Sequence, residues 1–128
     1  MIVVDTSVWV SALRSAAGPE AGILATLLDA DEVALPVPVR TELLSGASAK
    51  DRPALVRALS ALPMLYPTDE TWQLLDRWTD KAARTGQRFG LGDLLIGALA
   101  SETGALVWSL DGDFSRLEKL KLVECYKA

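Results

Sequence analysis

Short apolar runs alternate with longer segments of helical spacing along this whole chain, and that alternation restricts the fold more than any other feature. Ile2-Val3-Val4 reads as a buried strand, and Val33 to Leu35 as a second one, stopped by Pro36 and Pro38. Met64-Leu65-Tyr66, Leu106 to Trp108 and Leu122 to Glu124 complete the strand candidates. Between them lie helical patterns. One covers residues 7–15, and a second starts at Pro19 with Ile23, Leu24, Leu27 and Leu28 on its apolar face. A third is expected from Val39 to Ser45, with proline in its first turn and Gly46 at its end. Asp51 looks like the N-cap of a fourth, which carries Leu55, Val56, Leu59 and Leu62. The longest runs from Asp69 to Thr85, ended by Gly86, with Trp72, Leu75, Trp78 and Ala82 spaced as a core stripe. The loop Gly86 to Gly92 leads into a helix opened by Asp93 and stopping near Gly104, and a short helical turn is expected near Leu117. Strand–helix alternation of this kind builds a parallel sheet. The expected fold is α/β, a three-layer α/β/α arrangement around a central parallel sheet of about five strands.

At 128 residues the chain has the length of one domain, 1–128, and can bury a core without disulfides or structural metal. A hydrophobic content of 50% argues against disorder. No apolar run approaches a membrane span and the N-terminus lacks a signal peptide, so a cytoplasmic location without a membrane partner is expected. Cys125 stands alone and there is no histidine. That combination excludes an internal disulfide, a thiolate or imidazole metal cage, Ser-His-Asp and Cys-His nucleophilic catalysis, and acid–base work by imidazole. Any hydrolysis must run on carboxylates, metal-bound water, lysine or tyrosine.

The carboxylates sit where burial is costly. Asp5 closes the first strand, Glu42 lies in the short helix after Pro38, and Asp93 opens the apolar stretch Leu94 to Ala100. Asp111 and Asp113 follow the strand that ends at Trp108. In open parallel sheets ligands bind beyond the carboxyl ends of the strands. If the first strand and the strand ending at Trp108 are neighbours, Asp5 and Asp111 face one crevice, and Glu42 and Asp93 can reach it from helix starts. Oxygen ligands of this kind suit Mg²⁺ or Mn²⁺ and phosphodiester chemistry. Each acid also has a plain reading: Asp5 and Asp93 as helix caps, Asp111-Gly112-Asp113 as a turn, Glu42 as a solvated helix residue. All four positions fall at the same end of the expected sheet, and that joint placement is the argument for a site. Net charge is −4, from 17 acids and 13 bases, which by itself argues against a nucleic-acid partner. Setting aside the five acids named here leaves 12 acids against 13 bases, so the overall sign decides little.

At these positions the sequence resembles PIN-domain nucleases, specifically the VapC-type toxins of bacterial toxin–antitoxin pairs. Ile2-Val3-Val4-Asp5-Thr6-Ser7-Val8-Trp9 looks like the first-strand motif, Thr41-Glu42-Leu43 the second acidic position, and Gly92-Asp93-Leu94-Leu95-Ile96 the third. Ser109-Leu110-Asp111-Gly112-Asp113-Phe114 is similar to the T-x-D-x-D-F signature, with serine where threonine is usual. The resemblance covers essentially the whole chain. It implies a PIN-like fold and a metal-dependent endoribonuclease with a catalytic pocket of Asp5, Glu42, Asp93 and Asp111. Asp5, Asp93 and Asp111 would be the metal ligands, with Thr6, Ser109 and Asp113 in support. It further implies Mg²⁺ or Mn²⁺ as cofactor, an RNA substrate, products with 5′-phosphate and 3′-hydroxyl, a homodimer, and a cognate VapB-type antitoxin.

Lys81, Arg84 and Arg88 would form a basic stripe if the long helix continued so far, and Arg14 and Arg40 are further candidates for RNA phosphates. The plain alternative is a set of solvating charges with local partners, such as Asp80 with Arg84. Competing functions are a catalytically silent PIN-like module that binds RNA or protein, and a PIN nuclease in housekeeping RNA processing. A phosphoryl-accepting receiver domain would want a lysine just after a late strand, and none follows Trp108 closely. A haloacid-dehalogenase-type phosphatase would want an aspartate two residues beyond Asp5, where Ser7 stands.

Overall fold

β-Branched and apolar residues with no polar interruption favour strands buried on both faces, and the computed structural model, which describes residues 1–128, forms them at these runs. Strands β1 (Ile2–Val4), β2 (Val33–Pro36), β3 (Met64–Leu65) and β4 (Leu106–Trp108) make one parallel sheet in the order β3-β2-β1-β4. Seven helices alternate with them: α1 (Thr6–Arg14), α2 (Pro19–Asp29), α3 (Val37–Gly46), α4 (Arg52–Ser60), α5 (Asp69–Arg84), α6 (Leu91–Thr103) and α7 (Gly112–Lys119). The chain steps outward from β1 to β2 and β3, then returns past β1 to β4. With right-handed crossovers, outward and return steps place their helices on opposite faces of the sheet. The result is a three-layer α/β/α fold. The reversal lies between β1 and β4, which pair in register Ile2 with Leu106, Val3 with Val107 and Val4 with Trp108.

The fifth strand expected at Leu122–Glu124 does not form. A single parallel bridge joins Val107 to Cys125, and Tyr126 N–H donates to the Val107 carbonyl at 2.7 Å. Lys121, at φ 62, turns the chain sharply just before this segment, leaving only a short contact with the β4 edge. The turn expected near Leu117 is instead a full helix, α7, with Phe114 and Leu117 buried.

Strand residues Val3, Val4, Leu35 and Val107 lie at the centre of the core, together with Val8, Val39, Leu59, Ile96 and Phe114. Gly97 on α6 is a close-approach position. A Cβ there would sit 3.2 Å from both Trp78 Cζ3 and Val123 Cγ1, so the missing side chain lets α5 and the C-terminal segment pack against α6. The stripe expected on α5 holds at Leu75, Trp78 and Ala82 and differs only at its first position. Thr71 is buried in place of Trp72, which is 46% exposed. Thr71 Oγ1 accepts from the Thr68 N–H at 3.0 Å and donates to Glu102 at 2.7 Å, so its burial leaves no polar atom unpaired. Asp51 does not cap α4 with its side chain. Its own N–H donates to Ser48 Oγ at 3.1 Å, and the turn starting at Ser48 already feeds the helix. No helix is long and apolar enough to cross a membrane.

Candidate active site

The site forms at the carboxyl ends of β1 and β4, where the sheet order reverses. Asp5 is held by its backbone, because its N–H continues the ladder to the Trp108 carbonyl at 2.8 Å. The residue then caps α1, accepting from Ser7 N–H at 3.4 Å. Its buried carboxylate receives two hydroxyls on the same oxygen: Ser7 Oγ at 2.7 Å and Ser109 Oγ at 2.8 Å, both to Oδ2. Oδ1 takes no hydrogen bond from the protein. The two serines are themselves oriented. Ser7 Oγ accepts from Leu110 N–H at 3.0 Å, and Ser109 Oγ accepts from Asp111 N–H at 2.9 Å. One oxygen of Asp5 is thus fixed by neutral donors and the other is available, which suits a carboxylate that serves a ligand from one side.

Asp111 caps α7, accepting from Asp113 N–H at 3.0 Å. The cap and turn readings of Asp5 and Asp111 are therefore realised, and they orient the acids without consuming them. Asp93 is the third residue of α6, which begins at Leu91 with Gly90 as its N-cap, so Asp93 neither opens nor caps its helix. The loop before it is correspondingly shorter, ending at Gly90. Asp93, Asp111 and Asp113 each offer a carboxylate oxygen within 4.8 Å of the other two. Burial, the hydrogen bond with Asp113, and repulsion from Asp111, Asp5 and Asp113 together push the Asp93 carboxyl up to about 7. Asp5 is near enough to contribute to that repulsion but lies outside the tight trio. Asp113, expected in a supporting role, lies inside it.

Glu42 is exposed on α3 and reaches the site from the other side, accepting from Thr6 Oγ1 at 3.2 Å. Its Oε1 lies beside the start of α6, 3.9 Å from where a Cβ on Gly92 would stand, which is ordinary contact. Thr6 therefore serves Glu42, whereas Ser109 serves Asp5. Ser7 and Arg116 were not singled out in the sequence. Ser7 was legible as a hydroxyl two residues beyond an aspartate cap, and Arg116 as a cation one helical turn beyond Asp113.

A metal fits this donor set. Three carboxylates within one ion's reach offer hard oxygens, and an octahedral Mg²⁺ or Mn²⁺ with bonds of about 2.1 Å holds oxygens roughly 3–4 Å apart. The mutual repulsion that raises Asp93 is what a divalent cation would relieve.

The basic candidates do not form one stripe. Helix α5 ends at Arg84, and Gly86 turns the chain at φ 72, so Arg88 lies in the following loop. Arg84 pairs with Asp80 at 3.0 Å. Lys81 and Arg88 are exposed and Arg40 is half-buried, none of them in an ion pair. Arg14 lines a groove of about 540 Å³ between α1, α3 and α4 that also reaches Glu42.

The profile of the PIN domain matches residues 2–120, so the chain belongs to the PIN-domain family. Within that family it stands with the VapC ribonucleases. It is 32% identical to Ribonuclease VapC11 of Mycobacterium tuberculosis over 125 residues, covering 94% of this chain and 93% of the relative. Among solved structures, VapBC-5 of Mycobacterium tuberculosis, a member of the VapBC family of toxin–antitoxin systems, is 26% identical. It superposes with a TM-score of 0.71 over 98% of this chain and 97% of that one. VapBC2 of Rickettsia felis, bound to a DNA fragment from its promoter, shares the fold at a TM-score of 0.78 with 17% identity, covering 98% of each chain.

Proposed function

We propose that this chain, acting as one PIN domain, is the toxin of a VapBC-type pair and cleaves cytoplasmic RNA as an endoribonuclease dependent on Mg²⁺ or Mn²⁺. The observation that carries the reading is the trio Asp93, Asp111 and Asp113, with Asp5 near enough to act on Asp93 and Glu42 beside the start of α6, in a chain without histidine. Asp93, Asp111 and Asp113 would hold the ion, and Asp5, whose Oδ1 takes no hydrogen bond from the protein, would join them. A bound divalent ion supplies an activated water and offsets charge on the phosphoryl oxygens. The chain's own residues do the positioning. Ser7 and Ser109 fix Asp5 through one oxygen, and Thr6 orients Glu42, which would be the group to accept a proton from a water activated there. Arg88, exposed and unpaired near the acids, is suited to an RNA phosphate; Arg14, Arg40 and Lys81 are further candidates, and Arg84 is already paired. Products with 5′-phosphate and 3′-hydroxyl follow from the family resemblance.

The groove lined by Val10, Leu13, Leu43 and Leu55 runs up to Arg14 and Glu42. It offers an amphipathic antitoxin segment a seat beside the acids, and the toxin is expected to work as a homodimer bound by that antitoxin. The test is RNA cleavage with Mg²⁺ or Mn²⁺ and with EDTA, comparing wild type with Asp5→Asn and Asp93→Asn. Cleavage should require the ion and be lost in both variants. Cleavage in EDTA, or full activity in both variants, would overturn the mechanism.

A further inference from the structure

We propose that Arg116 is a positioning residue that fastens Asp113 to the loop preceding α6, so that the acid trio is assembled before a cation arrives. The inference rests on the metal-site reading above. Arg116 stands one turn after Asp113 on α7, and its guanidinium makes four contacts in different directions. Nη2 donates to Asp113 Oδ1 at 3.0 Å and to the Arg88 carbonyl at 3.1 Å. Nη1 donates to Gln87 Oε1 at 3.4 Å, and the guanidinium carbon lies 4.3 Å from the centroid of the Phe89 ring.

An isolated Asp–Arg pair at i, i+3 on a half-exposed helix face would contribute little. Here the same group spans two elements, so ordering one side chain orders both. The loop has few tethers of its own. Gln87 N–H donates back to the Ala82 carbonyl, but the N–H groups of Arg88 and Phe89 donate to no backbone carbonyl. Three residues beyond Gly90, α6 presents Asp93. Fastening the loop to α7 therefore sets the separation between Asp93 and Asp113, whose carboxylate oxygens lie within 4.8 Å of one another. Only a planar, multi-donor cation can make these contacts together; a lysine keeps the charge and loses the fork. The same anchoring holds the Arg88 backbone beside Asp113 while leaving its side chain free for a phosphate.

The sign of one measurement separates positioning from charge. Deleting a positive charge beside a cation site should tighten Mn²⁺ by electrostatics alone, whereas deleting a positioning residue should loosen it. Mn²⁺ binding to full-length wild type, Arg116→Met, Arg116→Lys and Phe89→Leu is measured by electron paramagnetic resonance of the free ion. Both Arg116 variants should bind about tenfold more weakly, and Phe89→Leu should fall between them and wild type. Trypsin under native conditions should cut after Arg88 several times faster in both Arg116 variants. Equal or tighter Mn²⁺ binding in Arg116→Met, or wild-type behaviour of Arg116→Lys in both measurements, would overturn the proposal. Should Arg116→Met fail to fold, the lysine and Phe89 variants carry the same comparison. The nuclease reading is tested separately. Wild type that binds Mn²⁺ but cleaves no RNA would sink the function and leave the fastening intact, while a cleaving wild type with indifferent Arg116 variants would sink the fastening alone.

Discussion

Asp93→Asn tests the electrostatics of the site without any substrate. The Asp93 carboxyl is raised from 3.8 to about 7, chiefly by burial and then by its acidic neighbours. A carboxyl raised on folding binds more protons in the folded chain than in the unfolded one between those two values. Its contribution to stability is therefore complete below about pH 4 and is lost as pH rises through about 7. At full weight such a rise is worth roughly 4 kcal/mol. The carboxyl is only half-buried, so solvent screening reduces this to about 2 kcal/mol. Nearly half of that range lies above pH 5.5. Metal-free wild type should therefore lose about 1 kcal/mol relative to Asp93→Asn between pH 5.5 and pH 8, or roughly 4 °C in Tm.

Thermal melts of both proteins in EDTA at the two pH values measure this, and the variant cancels the titrating groups that do not interact with Asp93. Adding Mn²⁺ should reverse the trend. Proton and cation compete for the same carboxyl, so the ion should stabilise wild type more at pH 8 than at pH 5.5 and the variant far less at either. Parallel melts of wild type and variant across the pH range in EDTA would refute the reasoning, because they would mean that burial and acidic neighbours do not raise the Asp93 carboxyl in the folded chain.

Ser7→Ala and Ser109→Ala each remove a hydroxyl from the buried Asp5 carboxylate and should cost about 1.5–3 kcal/mol in urea denaturation, while Ser109→Thr should stay close to wild type. Arg88→Ala should weaken RNA binding and lower its salt dependence by about one phosphate contact, and Arg84→Ala, already paired with Asp80, should do less; titrations at several salt concentrations compare them. Thr71→Val should destabilise by about 1–2 kcal/mol through the lost bonds to Thr68 and Glu102. Trp72→Gln should change stability by less than about 0.5 kcal/mol, and a large loss would mean that Trp72 packs rather than faces solvent.

Much of this architecture was legible because it rests on local patterns. The runs at Ile2, Val33 and Leu106 are continuous and apolar, and no other element type buries so short a run so completely. The place where chemistry would gather followed from one topological fact, the pairing of β1 with β4. What failed depended on single backbone turns or on a partner distant in sequence. Leu122–Glu124 has strand composition, yet the turn at Lys121 leaves only one bridge to Val107. Helical spacing cannot distinguish Trp72 from Thr71 by one position, because the outcome turned on Glu102, 31 residues from Thr71 and on another helix. The basic stripe needed α5 to run past Gly86, and the positive φ there ends it.

The acids themselves divide by how they are held, a division that motif spacing could not convey. Asp5 lies at the end of a strand, buried, with one oxygen engaged by two serine hydroxyls; neutral donors stabilise its charge without cancelling it. Asp93, Asp111 and Asp113 gather on the first turns of two helices, with one arginine among them and three carboxyls within one ion's reach. The helix starts favour negative charge there, yet burial and crowding still push the Asp93 carboxyl up to about 7. An arrangement built only for stability would pair each of these acids, and a proton relay needs no third carboxylate. Three acids crowded around one point, one of them fixed by Arg116 and a fourth fixed by Ser7 and Ser109, make a site whose repulsion a divalent cation would relieve. On the proposed reading, the same crowding that destabilises the metal-free chain would be the source of its affinity.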